Sequence, residues 1–140
     1  MVITSSGGRI IVHRISKGSD LIKEIRGIAE KLNITGGAIL LIGALENAVF
    51  GFYEKGEYKK IEVKGPLEII SCVGNVSEFE GNKVIHAHIA VANSEGKVYG
   101  GHLMEGCIVD PTAELIIIEG ENLLLRRFID EKTKLKLLLT

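Results

Sequence analysis

The sequence contains no tryptophan and no glutamine, and it has only two prolines and two cysteines. Cys72 and Cys107 do not form a C-x-x-C pair, so the spacing typical of a cysteine-based metal site is missing. The longest apolar runs, such as AILLIGAL, are far too short to span a bilayer, and no membrane contact is expected. Because no signal peptide is recognisable and cysteine is scarce, the expected location is the reducing cytoplasm.

An excess of charge of one sign is also lacking, since 17 basic and 18 acidic residues give a formal net charge of -1. A generic nucleic-acid binder usually has a strongly basic balance, so the composition argues against that class. Basic residues cluster only modestly, at 55–64 and at Arg126-Arg127, where the expected role is a solvated sheet edge. The abundance of lysine, glutamate and isoleucine is typical of thermophiles.

The order of the apolar patterns predicts an α+β fold with a mostly antiparallel sheet of about seven or eight strands. One main amphipathic helix is predicted over about 19–32, capped by Ser19 or Asp20, and it is expected to pack on the sheet. A turn at residues 64–66 is expected to separate two strands. The length of 140 residues fits a single domain, residues 1–140.

Three of the four histidines lie close together, in the segments VIHAHIAV and VYGGHL. Because side chains alternate along a strand, His86 and His88 share one face. A three-residue loop, 94–96, that ends in a left-handed Gly96 would place His102 directly across from His88 on the neighbouring strand. The sequence therefore predicts that three imidazoles converge on one surface. A two- or four-residue loop would turn His102 to the other face.

Three imidazoles suit Zn²⁺ or another divalent transition metal, such as nickel, cobalt or ferrous iron. Glu105, a water or a group from another subunit is a candidate fourth ligand. Gly100 and Gly101 are candidates for a ligand contact or for close backbone approach. The alternative is that the histidines are ordinary polar residues on the wet face of a sheet. His13 is expected to be a surface residue, and Cys107 a small buried apolar one.

The segments GPLEIISCVGNVS and HAHIAVANSEGKVYGGHLMEGCIVDPTAELII resemble the plant- and prokaryote-conserved domain, whose prokaryotic members are stand-alone domains. The resemblance covers nearly the whole chain and implies an α+β domain that assembles as a homotrimer and contacts other proteins. In plants the domain is attached to AT-hooks and serves transcriptional regulation. This sequence has no R-G-R-P hook, so DNA binding is an alternative that neither a hook nor the charge supports.

Two departures from the plant pattern bear on the site. GPLEII, residues 65–70, stands where plant members carry a partner motif of the G-R-F-E-I-L type. Gly65 and Glu68 are therefore interface candidates, without the plant partner specificity. The plant members generally lack the three histidines, which implies that trimerisation does not require a metal.

Two main functions are compatible with these patterns. The first is a trimeric binding or regulatory module whose histidine face carries a metal. The second is a zinc-type hydrolase or lyase, in which three neutral histidines and a water form an open catalytic site. A catalytic role needs a general base, for which Glu78, Glu80 and Glu105 are candidates. It also needs a substrate pocket, which the sequence does not reveal.

Overall fold

The helix begins and ends where local sequence signals place it. The structure, a computed structural model, describes residues 2–140, and helix α1 spans Leu21–Lys31. The Asp20 side chain accepts a hydrogen bond from the backbone N–H of Lys23, as an N-cap does. The predicted helix is confirmed, and no helix among the described residues is long and apolar enough to cross a membrane. The predicted domain also includes Met1, which lies outside the described residues.

Eight strands account for most of the remaining chain: β1 (Gly7–Ser16), β2 (Gly37–Glu54), β3 (Glu57–Phe79), β4 (Asn82–Ala92), β5 (Val98–Leu103), β6 (Ile108–Gly120), β7 (Arg126–Ile129) and β8 (Lys136–Leu139). Within residues 2–140 they form one sheet in the order β1-β6-β2-β5-β4-β3-β7-β8. The pairings are antiparallel except for one between β3 and β7. The α+β class with a mostly antiparallel sheet is confirmed.

Strand β5 closes part of the sheet on itself. It pairs with β4 along its length and also with β2, where His102 lies opposite Gly51. Because β2 pairs with β3 and β3 pairs with β4, these four strands form a closed ring. A residue near the end of β5 therefore lies between two neighbouring strands instead of at an open edge.

One face of the sheet is buried under α1, and the other is largely exposed. The inward residues of β4 are at most 5% exposed, namely Ile85, Ala87, Ile89 and Val91. They pack with the apolar stripe of α1, which includes Leu21 and Ile25. Full burial of each valine, leucine or isoleucine side chain among them stabilises the fold by about 1.5–3 kcal/mol. The residues that alternate with them, His86, His88 and Ala90, lie on the opposite face, as predicted.

The turn predicted at residues 64–66 is wrong, because β3 runs without interruption through this segment. Between Lys64 and Leu67 the strand advances by three residues while β2 advances by two, from Asn47 to Leu45. This extra residue is a β-bulge, and proline is tolerated there because a bulge does not require its missing N–H. A Cβ atom on Gly65 would lie 2.6 Å from the Leu45 carbonyl oxygen, so the close approach requires glycine.

Candidate metal centre

The loop between β4 and β5 fixes which histidines face each other. Asn93 donates its backbone N–H to the Lys97 carbonyl at 3.0 Å, and Gly96 donates to the Asn93 carbonyl at 2.9 Å. Gly96 has a φ of +76°, in the left-handed region that glycine adopts without strain. The register that follows pairs His88 with His102, and the sequence prediction for this hairpin is confirmed.

Three imidazoles converge on the exposed face of the sheet. One ligand nitrogen from each of His86, His88 and His102 lies within 4.8 Å of the others. The ring centroids are 5.1 to 5.8 Å apart. His88 is exposed, while His86 and His102 are half-buried. The predicted convergence of the three imidazoles is confirmed.

The electrostatic environment favours the neutral form of His86 and His102. Burial, together with the neighbouring imidazoles and a nearby guanidinium, lowers the pKa of His102 to about 4. Burial, then Arg127 and then His88 also lower the pKa of His86. An imidazole must be deprotonated to bind a metal, so the lowered pKa values of His86 and His102 favour metal binding. The Nδ1 atom of His102 is buried and has no hydrogen-bond partner in the described part of the chain. Because buried polar atoms normally have a partner, this arrangement is compatible with a nitrogen that binds a metal.

The structure does not bring the other predicted ligand candidates into this cluster. Among residues 2–140, the histidines form the only group of three or more potential ligands of this kind. The Glu105 carboxylate is exposed and lies 3.8 Å from the amine of Lys23 and 3.7 Å from the guanidinium of Arg26. Its role as a ligand or as an interface residue within an assembly stays a prediction.

The adjacent glycines have a structural reason to lack side chains. A Cβ atom on Gly100 would collide with the Ile89 carbonyl oxygen of β4. A Cβ atom on Gly101 would lie 2.6 Å from the Gly51 carbonyl oxygen of β2. The two residues therefore allow β5 to fit between its neighbours, which was one of the two sequence interpretations.

The remaining candidates lie elsewhere on the sheet. Gly65 occupies the bulge in β3, and Glu68 is an exposed residue of the same strand, opposite Ala92. Their role as interface residues stays a prediction. His13 is half-exposed beside Glu24, and the buried Cys107 thiol donates to the Val49 carbonyl at 3.1 Å. Both of these residues are placed as the sequence predicted.

Arg127 is the site residue that sequence analysis missed. The sequence predicts a solvated basic edge here, but the Arg127 guanidinium points into the cluster from the β7–β8 hairpin. Its Nε donates to Ser77 Oγ at 2.7 Å, its Nη1 to the Lys136 carbonyl at 2.8 Å, and its Nη2 to Asn75 Oδ1 at 2.8 Å. Nη2 also lies 3.3 Å from Nδ1 of His86. The only sequence signal is the pair Arg126-Arg127 within the otherwise apolar segment 123–129.

A cleft of about 460 Å³ opens beside the histidines. Its polar lining includes His86, His102 and Arg127, together with Asn75, Lys134 and Lys136. Tyr58 packs on the His102 ring with centroids 4.8 Å apart. The β7–β8 hairpin supplies an apolar wall, which includes Leu135, Leu137 and Leu138. Catalysis or ligand binding requires a pocket, which the sequence does not reveal and the structure contains.

Comparison with known proteins places the chain in a family. A model of the Plants and Prokaryotes Conserved (PCC) domain family matches residues 2–121. The chain belongs to this family. A solved plant- and prokaryote-conserved (PPC) protein from Pyrococcus horikoshii is similar to this PCC-domain chain, with 36% identity, a TM-score of 0.91 and coverage of 100% of this chain and 98% of that one.

Two further structures and a curated relative extend the comparison. The metal-containing protein AF0104 from Archaeoglobus fulgidus is 34% identical, with a TM-score of 0.91 and coverage of 100% of this chain and 99% of the other. A putative DNA-binding protein from Bacteroides thetaiotaomicron is 21% identical over 96% of both chains at a TM-score of 0.86, which shows the fold alone. The bifunctional protein GlmU from Synechococcus is 29% identical over 80% of this PCC-domain chain, which spans only 17% of that relative's length.

Proposed function

We propose that this PCC-domain protein is a metal-binding module that holds one divalent transition metal per chain at His86, His88 and His102. The observation that carries the proposal is the convergence of three ligand nitrogens within 4.8 Å, on a rigid pair of hydrogen-bonded strands. The metal-containing relative from Archaeoglobus fulgidus supports it. The donor set of neutral nitrogens suits Zn²⁺, and a bound ion of this kind supplies Lewis acidity.

Metal analysis of untagged protein tests the proposal. Elemental analysis after purification without a nickel column should find about one zinc or other transition metal per chain. His88→Ala should abolish stoichiometric metal, whereas His13→Ala, a change outside the cluster, should retain it. Untagged wild-type protein that binds less than a tenth of an equivalent after incubation with Zn²⁺ would leave the cluster without a metal function.

Self-association as a homotrimer is the second part of the proposal. Its support is an apolar row across the outer face of the sheet, in which successive pairings join Val12, Ile116, Leu40 and Val73 to His88. The four apolar side chains are between 37% and 73% exposed. An exposed patch of this kind on a small domain marks an interaction surface.

Light scattering after size exclusion tests the assembly. The wild-type protein should have three times the mass of one chain, and Leu40→Glu should reduce it, because the change places a charge in the apolar row. His88→Ala should keep the wild-type mass, since the resemblance implies assembly without metal. A monomeric wild-type protein would contradict this part of the proposal alone.

A metal-dependent hydrolase or lyase remains the alternative function, and the cleft beside His86 and His102 is the observation that favours it. The candidate bases lie outside the histidine cluster, and the Glu78 carboxylate is paired with the Lys83 amine. Hydrolysis of simple esters and phosphates by the metal-loaded protein, lost with a chelator and in His88→Ala, would support catalysis. A salt-dependent mobility shift with duplex DNA would support DNA binding. The formal net charge of -1 does not favour that function.

We infer a cytoplasmic location for this domain. Both cysteines, Cys72 and Cys107, are free and buried, as is usual for thiols in a reducing compartment. Fractionation of the source cells tests this inference.

A further inference from the structure

The Arg127 guanidinium is a half-buried cation without a counter-ion. Its four hydrogen-bond contacts go to neutral atoms, and no ion pair within residues 2–140 includes it. None of the residues that line the cleft in the described chain is acidic. A partly desolvated charge normally has a partner of opposite sign, because its loss of hydration is otherwise uncompensated.

The contact between Arg127 and His86 cannot persist when His86 binds a metal. A guanidinium has only N–H donors, so Nδ1 of His86 is the acceptor in this contact, and the ring proton is on Nε2. If Nδ1 is the metal ligand, its lone pair is no longer available to Arg127. If Nε2 is the ligand, Nδ1 carries the proton and faces another donor. Metal loading therefore leaves one N–H of Arg127 without its acceptor.

The charge of the loaded site then favours an anion. Three neutral imidazoles leave the charge of a divalent ion uncompensated, and Arg127 adds a further positive charge beside it. On the hairpin side Leu135 and Leu137 line the cleft, together with Lys134 and Lys136, whose positive charges also favour an anion. The amine of Lys136 lies 4.5 Å from the centroid of the Phe79 ring.

We propose that the metal-loaded cleft binds a small organic carboxylate with an apolar tail. One carboxylate oxygen faces the histidine-held metal, the other accepts from the released N–H of Arg127, and the tail lies against the leucines. This inference rests on the proposed metal site and names the ligand class of that site. A carboxylate has two oxygens for these two groups, whereas a phosphate carries further charged oxygens that the apolar wall would desolvate.

Calorimetry with three small probes tests the proposal on untagged protein of measured zinc content. Hexanoate should bind the zinc-loaded protein at least about tenfold more tightly than hexanamide, which has the same shape without charge, and than acetate, which lacks the tail. Removal of zinc should weaken hexanoate binding at least about tenfold. Hexyl phosphate should bind more weakly than hexanoate.

Arg127→Gln separates recognition of the carboxylate from support of the hairpin. This variant should retain zinc and lose the preference for hexanoate over hexanamide, while Lys132→Gln, in the exposed loop of the same hairpin, should keep it. If Arg127→Gln unfolds, the comparison of the three probes on wild-type protein still decides the question. Stoichiometric zinc without a preference for hexanoate, or with tighter hexyl phosphate binding, overturns the inference and leaves the metal site standing. Absence of zinc overturns both.

Discussion

Acid should destabilise the metal-free protein through His102. The pKa of this residue falls from its ordinary value of 6.5 to about 4 on folding, chiefly because of burial. The unfolded chain therefore binds a proton between these pH values that the folded chain does not bind. The contribution of His102 to stability is complete above about pH 6.5 and is lost progressively as the pH falls to 4.

The size of the effect follows from the same two values. At about 1.36 kcal/mol per pKa unit, a change from 6.5 to about 4 sets an upper limit of roughly 3.4 kcal/mol. His102 is only half-buried, so solvent screening reduces the expected loss to about 1–2 kcal/mol. The lowered pKa of His86 acts in the same direction.

Urea unfolding in EDTA at a series of pH values between 4.5 and 7 measures this loss. The wild-type free energy of unfolding should fall over this range, and His102→Gln should fall less by about 1–2 kcal/mol. His13→Gln is the matched control, because His13 lies beside the Glu24 carboxylate and not in the cluster. Equal losses in the wild type and in His102→Gln would refute the reasoning, because they would assign the acid sensitivity to other groups.

Four further substitutions, one of them a control, test the scaffold around the site. Gly74→Ala should cost about 1–3 kcal/mol and displace bound metal, because its Cβ would lie 2.5 Å from the Ala87 Cα on β4. Gly27→Ala, in helix α1, is its control, because no atom lies within 4 Å of the added Cβ. Thermal unfolding should show that this variant is more stable by about 0.5–1 kcal/mol. Gly96→Ala should reduce the stability by about 1 kcal/mol, because alanine is strained in the left-handed backbone conformation. The metal content should not change, since no atom lies within 4 Å of the added Cβ. Lys83→Met should cost about 1–3 kcal/mol in urea unfolding, because it leaves the partly buried Glu78 carboxylate unpaired. An unchanged free energy of unfolding in Gly74→Ala would contradict the packing argument. An unchanged value in Lys83→Met would contradict the ion-pair argument.

The parts of the site that the sequence predicted correctly depend on short-range rules. The alternation of a strand places His86 and His88 together, and the loop that ends at Gly96 sets the partner of His88. Both relations involve residues fewer than twenty positions apart. The same holds for the cap at Asp20. Local backbone chemistry determines all of these features, so periodicity and turn residues are sufficient to derive them.

The parts that the sequence did not predict depend on distant pairings. Gly65-Pro66 has the composition of a turn, and only the partner strand β2 makes it a bulge in a continuous strand. Arg127 reaches the cluster because the backbone N–H of Glu78 bonds the Leu125 carbonyl, which docks β7 on β3. Nothing near Arg127 in the sequence encodes that contact. A charge in a short strand has the same pattern whether it faces solvent or a cleft.

The closure of the sheet fixes the backbone of the histidine cluster from two sides. His102 lies between His88 of β4 and Gly51 of β2, so two hydrogen-bonded neighbours fix its backbone. A Cβ atom on Gly51 would lie 2.9 Å from the Tyr58 ring, and its absence lets that ring pack on His102. The strand ladder thus sets the backbone positions of the three histidines. The conformational entropy of ordering them is lost on folding and not on ligand binding. Metal binding would remove the acceptor of one Arg127 N–H, and Arg127 lies on the β7–β8 hairpin, which pairs with β3 at Arg126 and Glu78. Any response of this domain to metal should therefore appear in the β7–β8 hairpin and not in the core.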